Sequence, residues 1–258
     1  MSTLSLPLPR PTRRAGFGQI VLNEARLTWR RPQGLIGGIA LPVLLLVVFS
    51  LIPAFRAPAA DLGGVSRLSV YVPIMIAFGL ASIAFYSLPV PLVSYRELGI
   101  LRRLSTTPVP PSWLLAAQGL VNVGTAVTMT LIIVVAGTAL GASAPKSAAG
   151  FALAVLLSIA GLFPIGLVIA AVARTTTSAN VIGRVVFFPL IFLAGLWWPR
   201  ELMPGALQAL SGISPLGATV EAIQDSMQGQ FPPAMPLLVL VAYAVVFGFL
   251  AQRWFRWE

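Results

Sequence analysis

The chain contains no histidine and no cysteine among its 258 residues, a single lysine, and only seven acidic residues. The first two absences exclude a thiol nucleophile, an imidazole base and any zinc site built from those ligands. Because Lys146 stands alone, the phosphate-binding pattern Gly-x-x-x-x-Gly-Lys-Ser/Thr is also missing, so the chain cannot hydrolyse ATP by that route. Glu221 and Asp225, at i and i+4, are the one close carboxylate pair, and they read as the wet side of a helix rather than as a catalytic constellation. No metal ligand set is expected. Nor does any ionisable residue lie deep in an apolar run, and proton or ion coupling normally needs one there. A secondary transporter or channel is therefore the weaker reading from a different class.

What fills the chain instead is hydrocarbon. The composition is 57% hydrophobic and 9% charged, with a mean hydropathy of +0.91, against about 25% charged residues in soluble domains. This composition belongs to an integral, all-α membrane protein. Six runs are long and apolar enough to be spans, at about 34–53, 71–94, 113–140, 148–173, 181–198 and 235–252. The polar stretch Arg174 to Asn180 reads as a short turn between the fourth and the fifth.

The net charge of +10 would suggest nucleic acid in a soluble protein, but here the arginines gather at the ends of the runs. Counted from a cytoplasmic amino terminus, Arg10, Arg13, Arg14, Arg26, Arg30, Arg31, Arg96, Arg102, Arg103, Arg174, Arg184, Arg253 and Arg256 fall inside. Only Arg56, Arg67, Lys146 and Arg200 fall outside. That bias places both termini in the cytoplasm of a multi-pass protein of the inner or plasma membrane. Trp29, Trp113, Trp197, Trp198, Trp254 and Trp257 all stand at span ends, where an amphipathic ring prefers to sit.

Four segments outside the spans carry further information. Residues 1–15, rich in proline and arginine, read as a flexible cytoplasmic tail, and residues 16–258 as a single transmembrane domain. Phe17 to Arg31 reads as an interfacial helix, with Phe17, Ile20, Val21 and Leu27 toward lipid and Arg26 and Arg30 toward water. Between spans five and six, Ala206 to Ser211 and Gly217 to Met227 form two short amphipathic helices broken at Gly212 to Pro215, an outer re-entrant pair.

The fourth segment is a charged island after span two, Tyr95-Arg-Glu-Leu-Gly-Ile-Leu-Arg-Arg-Leu-Ser-Thr-Thr-Pro108. A helix from Tyr95 to Leu104 would be about 15 Å long, half of a hydrocarbon core of about 30 Å. It cannot cross a membrane and must lie on one. Leu98, Leu101 and Leu104 would share a stripe, with Glu97, Arg102 and Arg103 pointing elsewhere, and Pro108, Pro110 and Pro111 stop the helix.

Six spans, the run Arg96-Glu97-Leu98-Gly99-Ile100-Leu101-Arg102-Arg103-Leu104 followed by Thr107-Pro108, and the later Leu210-Ser-Gly-Ile-Ser-Pro-Leu216 together resemble the permease subunits of ABC-2 type transporters. They are closest to the small permeases of daunorubicin-type drug-resistance exporters, and similar also to nodulation-factor and polysaccharide permeases. The resemblance implies that Arg96, Glu97, Leu98, Gly99, Leu101, Arg102, Arg103 and Leu104 form a coupling helix seated in a groove of a separate ATPase. Glu97 would orient it, Leu101 and Leu104 would fill the groove, and Gly99 would allow close backbone approach. Two permeases, identical or homologous, and two ATPases would make the working unit, with ATP and magnesium bound by the partner and no cofactor by this chain. The implied function is export of an amphipathic drug-like or lipid-like substrate, the alternative being a lipid-linked glycan or polysaccharide. Phe78, Phe85 and Tyr86 on span two and Phe187, Phe188 and Phe192 on span five are the candidates for a substrate path, against the simpler roles of packing or facing lipid.

Overall fold

The computed structural model describes residues 13–30, 36–60, 64–100, 110–198 and 200–254. Most of the expected tail, and Leu101, Arg102, Arg103 and Leu104 of the charged island, lie outside these residues. Among the described residues the chain forms helices and no strand. They are α1 (Arg13–Arg30), α2 (Leu41–Ser50) preceded by a π-turn at Ile36–Ala40, α3 (Pro53–Arg56), α4 (Arg67–Ser82), α5 (Pro89–Glu97), α6 (Pro111–Ala139), α7 (Ala148–Val172), α8 (Thr176–Leu193), α9 (Gly205–Ile213), α10 (Pro215–Gln228) and α11 (Ala234–Trp254).

Among the described residues five helices are long and apolar enough to cross a bilayer: Arg67–Glu97, Ser112–Ala139, Ala148–Val172, Thr176–Leu193 and Ala234–Trp254. The first expected span corresponds to the shorter apolar segment Gly37–Ser50. The second is one continuous rod, in which a π-turn at Ile83–Ser87 joins α4 to α5. It is the axis of the bundle. Of its most apolar stretch 94% is buried, against 17% for α11, which lies on the rim.

Around that axis α2 and α6 lie on α4, and α7 and α8 pack against the π-turn and α5. The helix α11 lies along α7, and α1 is held against α6. Lipid is as apolar as leucine, so little is gained by burying leucine against leucine in a membrane, and helices associate by close packing instead. Two glycines make this visible. A Cβ on Gly166 would lie 1.9 Å from the carbonyl oxygen of Ala84, and one on Gly183 would lie 2.6 Å from that of Phe85. Both carbonyls belong to the π-turn, so α7 and α8 touch backbone on span two where no side chain fits between.

The short helices between α8 and α11 divide at Ser214, within the expected break. Its hydroxyl caps α10 by accepting from the Gly217 backbone N–H at 3.0 Å. α10 is buried on α4, α7 and α11, and it ends at Gly229 in the left-handed region, φ 96°.

Three boundaries differ from the sequence reading for local reasons. α8 begins at Thr176 rather than at Val181, because Thr175 and Ser178 form a capping box that turns the polar stretch into a helix start. It ends at Leu193, short of Trp198, where Gly195 takes φ 95°. Span two runs on to Glu97, past Ser94, so that Tyr95, Arg96 and Glu97 close that helix instead of opening a new one. Gly99, at φ 66°, then turns the chain, and helical geometry resumes at Ile100. Within this chain the glycine is needed for its dihedral angle, since a Cβ there would meet open space.

Gly166→Ala is expected to destabilise the protein by about 1–3 kcal/mol or more through overpacking. Gly124→Ala on α6, where a Cβ meets nothing within 4 Å, should be neutral or stabilise by up to about 1 kcal/mol. Thermal unfolding of the two variants in detergent checks the contrast in sign.

Candidate functional site

A helix end leaves backbone groups without partners, and near a membrane those groups need partners from the protein. The end of α5 supplies them to its neighbours. Consecutive helical residues project about 100° apart, so Tyr95, Arg96 and Glu97 reach three different sides.

Tyr95 reaches α1 and α6. Its phenol donates to the two carboxylate oxygens of Glu24 at 2.9 and 2.8 Å, and the Gln118 side-chain amide of α6 donates to the same carboxylate. Glu24 is only 5% exposed, a burial that a carboxylate tolerates only when hydrogen-bonded. One turn along α6, the Asn122 amide donates to the backbone and side-chain oxygens of Gln118 at 2.8 and 3.2 Å.

Arg96 reaches the last turn of α7, donating to the carbonyl oxygens of Ala170, at 3.2 Å, and of Ala173. Glu97 accepts from the backbone N–H of Thr176, the first residue of α8, at 3.0 Å. A cation therefore sits at the carboxyl end of one helix and an anion at the amino end of the next, each matched to the dipole it meets. The turn between α7 and α8 is pinned from both sides by neighbouring residues of α5.

The sequence singles out Arg96 and Glu97 but not Tyr95 or Glu24 as linking residues. Glu24 had a legible signal, since it shares a helical face with Ile20, at i+4. That face meets protein and not lipid: Phe17 stands edge-on to Trp113 with ring centroids 5.7 Å apart, and Ile20 packs against Tyr95 and Leu114. Leu22, Leu27 and Trp29 are the exposed large apolar residues of α1. Gln118 is a contact between helices, as its polarity within a span suggests, whereas the amide of Asn122 donates within α6. Leu98 is 65% exposed.

Four of the six aromatic candidates form one cluster, and Phe85 and Phe192 stand apart from it. Phe187 is the hub of the cluster, with ring centroids 5.2 Å from Phe78, 5.6 Å from Tyr86 and 5.8 Å from Phe188. Phe85 is fully buried in the core. Phe188 and Phe192 are exposed on α8, and Phe192 lies 6.3 Å from Trp197.

At the opposite end of the bundle Arg200 pairs with Glu221 of α10. The two line a cleft of about 200 Å³ with Gln208, Gln224 and Asp225. Burial, together with the nearby Glu221 carboxylate, raises the Asp225 carboxyl above its ordinary 3.8, and Arg200 opposes the shift. Among the described residues no three acidic side chains gather as a metal site would require.

Residues 16–228 match the sequence profile of the ABC-2 type transporter family. A transport permease named ycf38 from Cyanophora paradoxa is 27% identical over 201 residues, which are 76% of this chain and 68% of that protein. The protein of the same name from Porphyra purpurea is 27% identical over 204 residues, with the same coverage of 76% and 68%. Nodulation protein J of Bradyrhizobium diazoefficiens is 32% identical over 132 residues, 48% of this chain and 50% of its own length.

Tyr95→Phe removes one donor from a buried carboxylate and should cost about 1–3 kcal/mol. Adding Glu24→Gln, which removes the charge that needed the donor, should recover part of that loss. A double-mutant cycle of melting temperatures in detergent checks this. For Asp225 the raised folded-state value means that its contribution is complete at low pH and is lost as pH rises through that value. Asp225→Asn should therefore match the native protein near pH 4 and gain stability over it toward pH 7, as melting curves across that range will read.

Proposed function

This chain belongs to the ABC-2 type transporter family, and from that membership we propose how a transmembrane permease of this kind is driven. The end carrying Arg96, Arg174 and Arg253 faces the cytoplasm, and the segment from Tyr95 to Leu104 receives the push of a separate ATPase. ATP and magnesium bind on that partner, and ATP-driven closure of an ATPase pair moves two permeases against each other. Arg102 and Arg103 offer charge to the ATPase, while Leu98, Leu101 and Leu104 offer the apolar edge that fills its groove.

The observation that carries this reading is the three-way attachment of Tyr95, Arg96 and Glu97 to α1, α6, α7 and α8. A displacement applied just beyond Gly99 cannot be absorbed locally, because the residues before it are bonded to three other helices and, through Glu24, to α6 as well. It is passed to the bundle.

The direction of transport is outward, and the substrate is an amphipathic drug-like or lipid-like molecule. Phe188 and Phe192 are the aromatic residues we assign to its path, with Phe78, Tyr86 and Phe187 behind them. A lipid-linked glycan is the second reading, favoured by Trp197 and Trp198, which are 59% and 50% exposed and offer ring faces to a sugar.

Glu97→Ala removes a solvent-exposed hydrogen bond at a helix start, worth about 0.3–1 kcal/mol, and should lower transport severalfold. Leu101→Asp should do the same, and both variants should insert normally. Since the native chain has no cysteine, Arg102→Cys gives a single cross-linking handle. It should capture the ATPase subunit from purified complex, and transport at the native rate by both variants in an intact complex would refute the coupling role.

A further inference from the structure

The ends of α5, α7 and α11 enclose a cleft of about 570 Å³, lined by Arg96, Glu97, Val172, Arg174, Arg253 and Trp254, with Ala171 and Ala173. Its volume lies within the range of about 300–1,000 Å³ common for small-molecule sites. Arg96 and Glu97 are engaged in the bonds to α7 and α8 described above. What the cleft presents to an incoming group is therefore the exposed guanidinium groups of Arg174 and Arg253 and the half-exposed indole of Trp254, beside the exposed carboxylate of Glu97, so that three arginines line it against one carboxylate. Two guanidinium groups converging on one space match the geometry of a phosphate, which they can bind in bidentate fashion.

The surface leading to the cleft specifies what carries that phosphate. Val241, Val245, Phe249 and Arg253 follow one another at intervals of four along α11, on one helical face. Val245 and Phe249 are 66% and 61% exposed, and on a spanning helix that face meets lipid. The stripe ends at Arg253, so the charge sits at headgroup depth and not in open water. Val172, 54% exposed at the end of α7, continues the apolar wall beside it. Trp254 stands where an indole prefers the boundary between hydrocarbon and water.

We infer that this cleft is a binding site for an anionic phospholipid, with the phosphate held by Arg174 and Arg253 and an acyl chain lying along the Val241–Phe249 face of α11. The site adjoins the pinned turn between α7 and α8, so an occupied cleft braces the same turn from its lipid side. The inference does not depend on the ATPase reading or on which way the bundle faces.

The test is native mass spectrometry of the full chain in detergent, titrated with phosphatidylglycerol or with phosphatidylcholine of the same acyl chains. The native protein should retain one phosphatidylglycerol about tenfold more strongly than phosphatidylcholine. Arg174→Gln with Arg253→Gln should remove the preference, and the double lysine variant should keep part of it. Arg184→Gln, which removes an exposed arginine of α8 outside the cleft, should leave it unchanged. An absent preference, or an equal loss in Arg184→Gln, would reduce the effect to diffuse charge and overturn the site. Displacement of the lipid by inorganic phosphate would make it a site for a soluble anion. Unchanged lipid retention in the double glutamine variant, with loss of the ATPase subunit, would make these arginines a protein contact.

Discussion

A buried or half-buried charge next to a membrane has to be answered by the protein itself, and in this chain the answer is concentrated at one helix end. Glu24 is buried and takes its hydrogen bonds from Tyr95 and Gln118. The carbonyls that end α7 take theirs from Arg96, and the first N–H of α8 finds the Glu97 carboxylate. Each contact is a charge-assisted hydrogen bond, modest by itself. Their joint effect comes from adjacency: three successive residues of one helix are each committed to a different neighbour, so none of those neighbours can shift without moving α5.

The rest of span two makes that end stiff. Its π-turn brings bare backbone against Gly166 of α7 and Gly183 of α8, contacts that leave no side chain to rearrange. Close packing of this kind is how membrane helices hold together when burial of apolar surface supplies little. The same helices that meet the π-turn in mid-bundle meet Arg96 and Glu97 at its end. They are held to span two at two heights, which favours movement of the group as one body over sliding of its members.

Much of this organisation is legible in the residues. Runs without charge mark the spans, the break between α9 and α10 falls where Gly212 to Pro215 places it, and the family follows from the charged island. Harder to read are the places where polarity serves an end other than exposure. Thr175 to Ser178 look like a turn because they are polar, yet their hydroxyls cap a helix and start it early. Tyr95 looks like the start of the island because charge follows it, but helical hydrogen bonding continues through Glu97 until Gly99 ends it. Glu24 looks solvated among arginines. Its partners lie 71 and 94 residues away in sequence, and only the folded chain brings them within reach. The aromatic residues of spans two and five illustrate the converse, since composition alone does not distinguish the buried Phe85 from the exposed Phe188.

The π-turn also acts as a phase setter. A residue in an α-helix advances the helical azimuth by about 100°, and a π-turn accommodates one residue more than the α-turn it replaces. The compass bearings of the last three residues of α5 thus follow from how many residues lie between Gly79 and Tyr95, whatever their identities. Losing one from Ile83–Ser87, with a return to regular α geometry, would leave the phenol, guanidinium and carboxylate near their present bearings, whereas losing or gaining one in the regular α-helix on either side would swing them by about 100°, away from all their partners. Residue count in the α-helical parts of this stretch is therefore a stricter requirement on the chain than side-chain chemistry, and the π-turn is the one place where a single deletion should be absorbed.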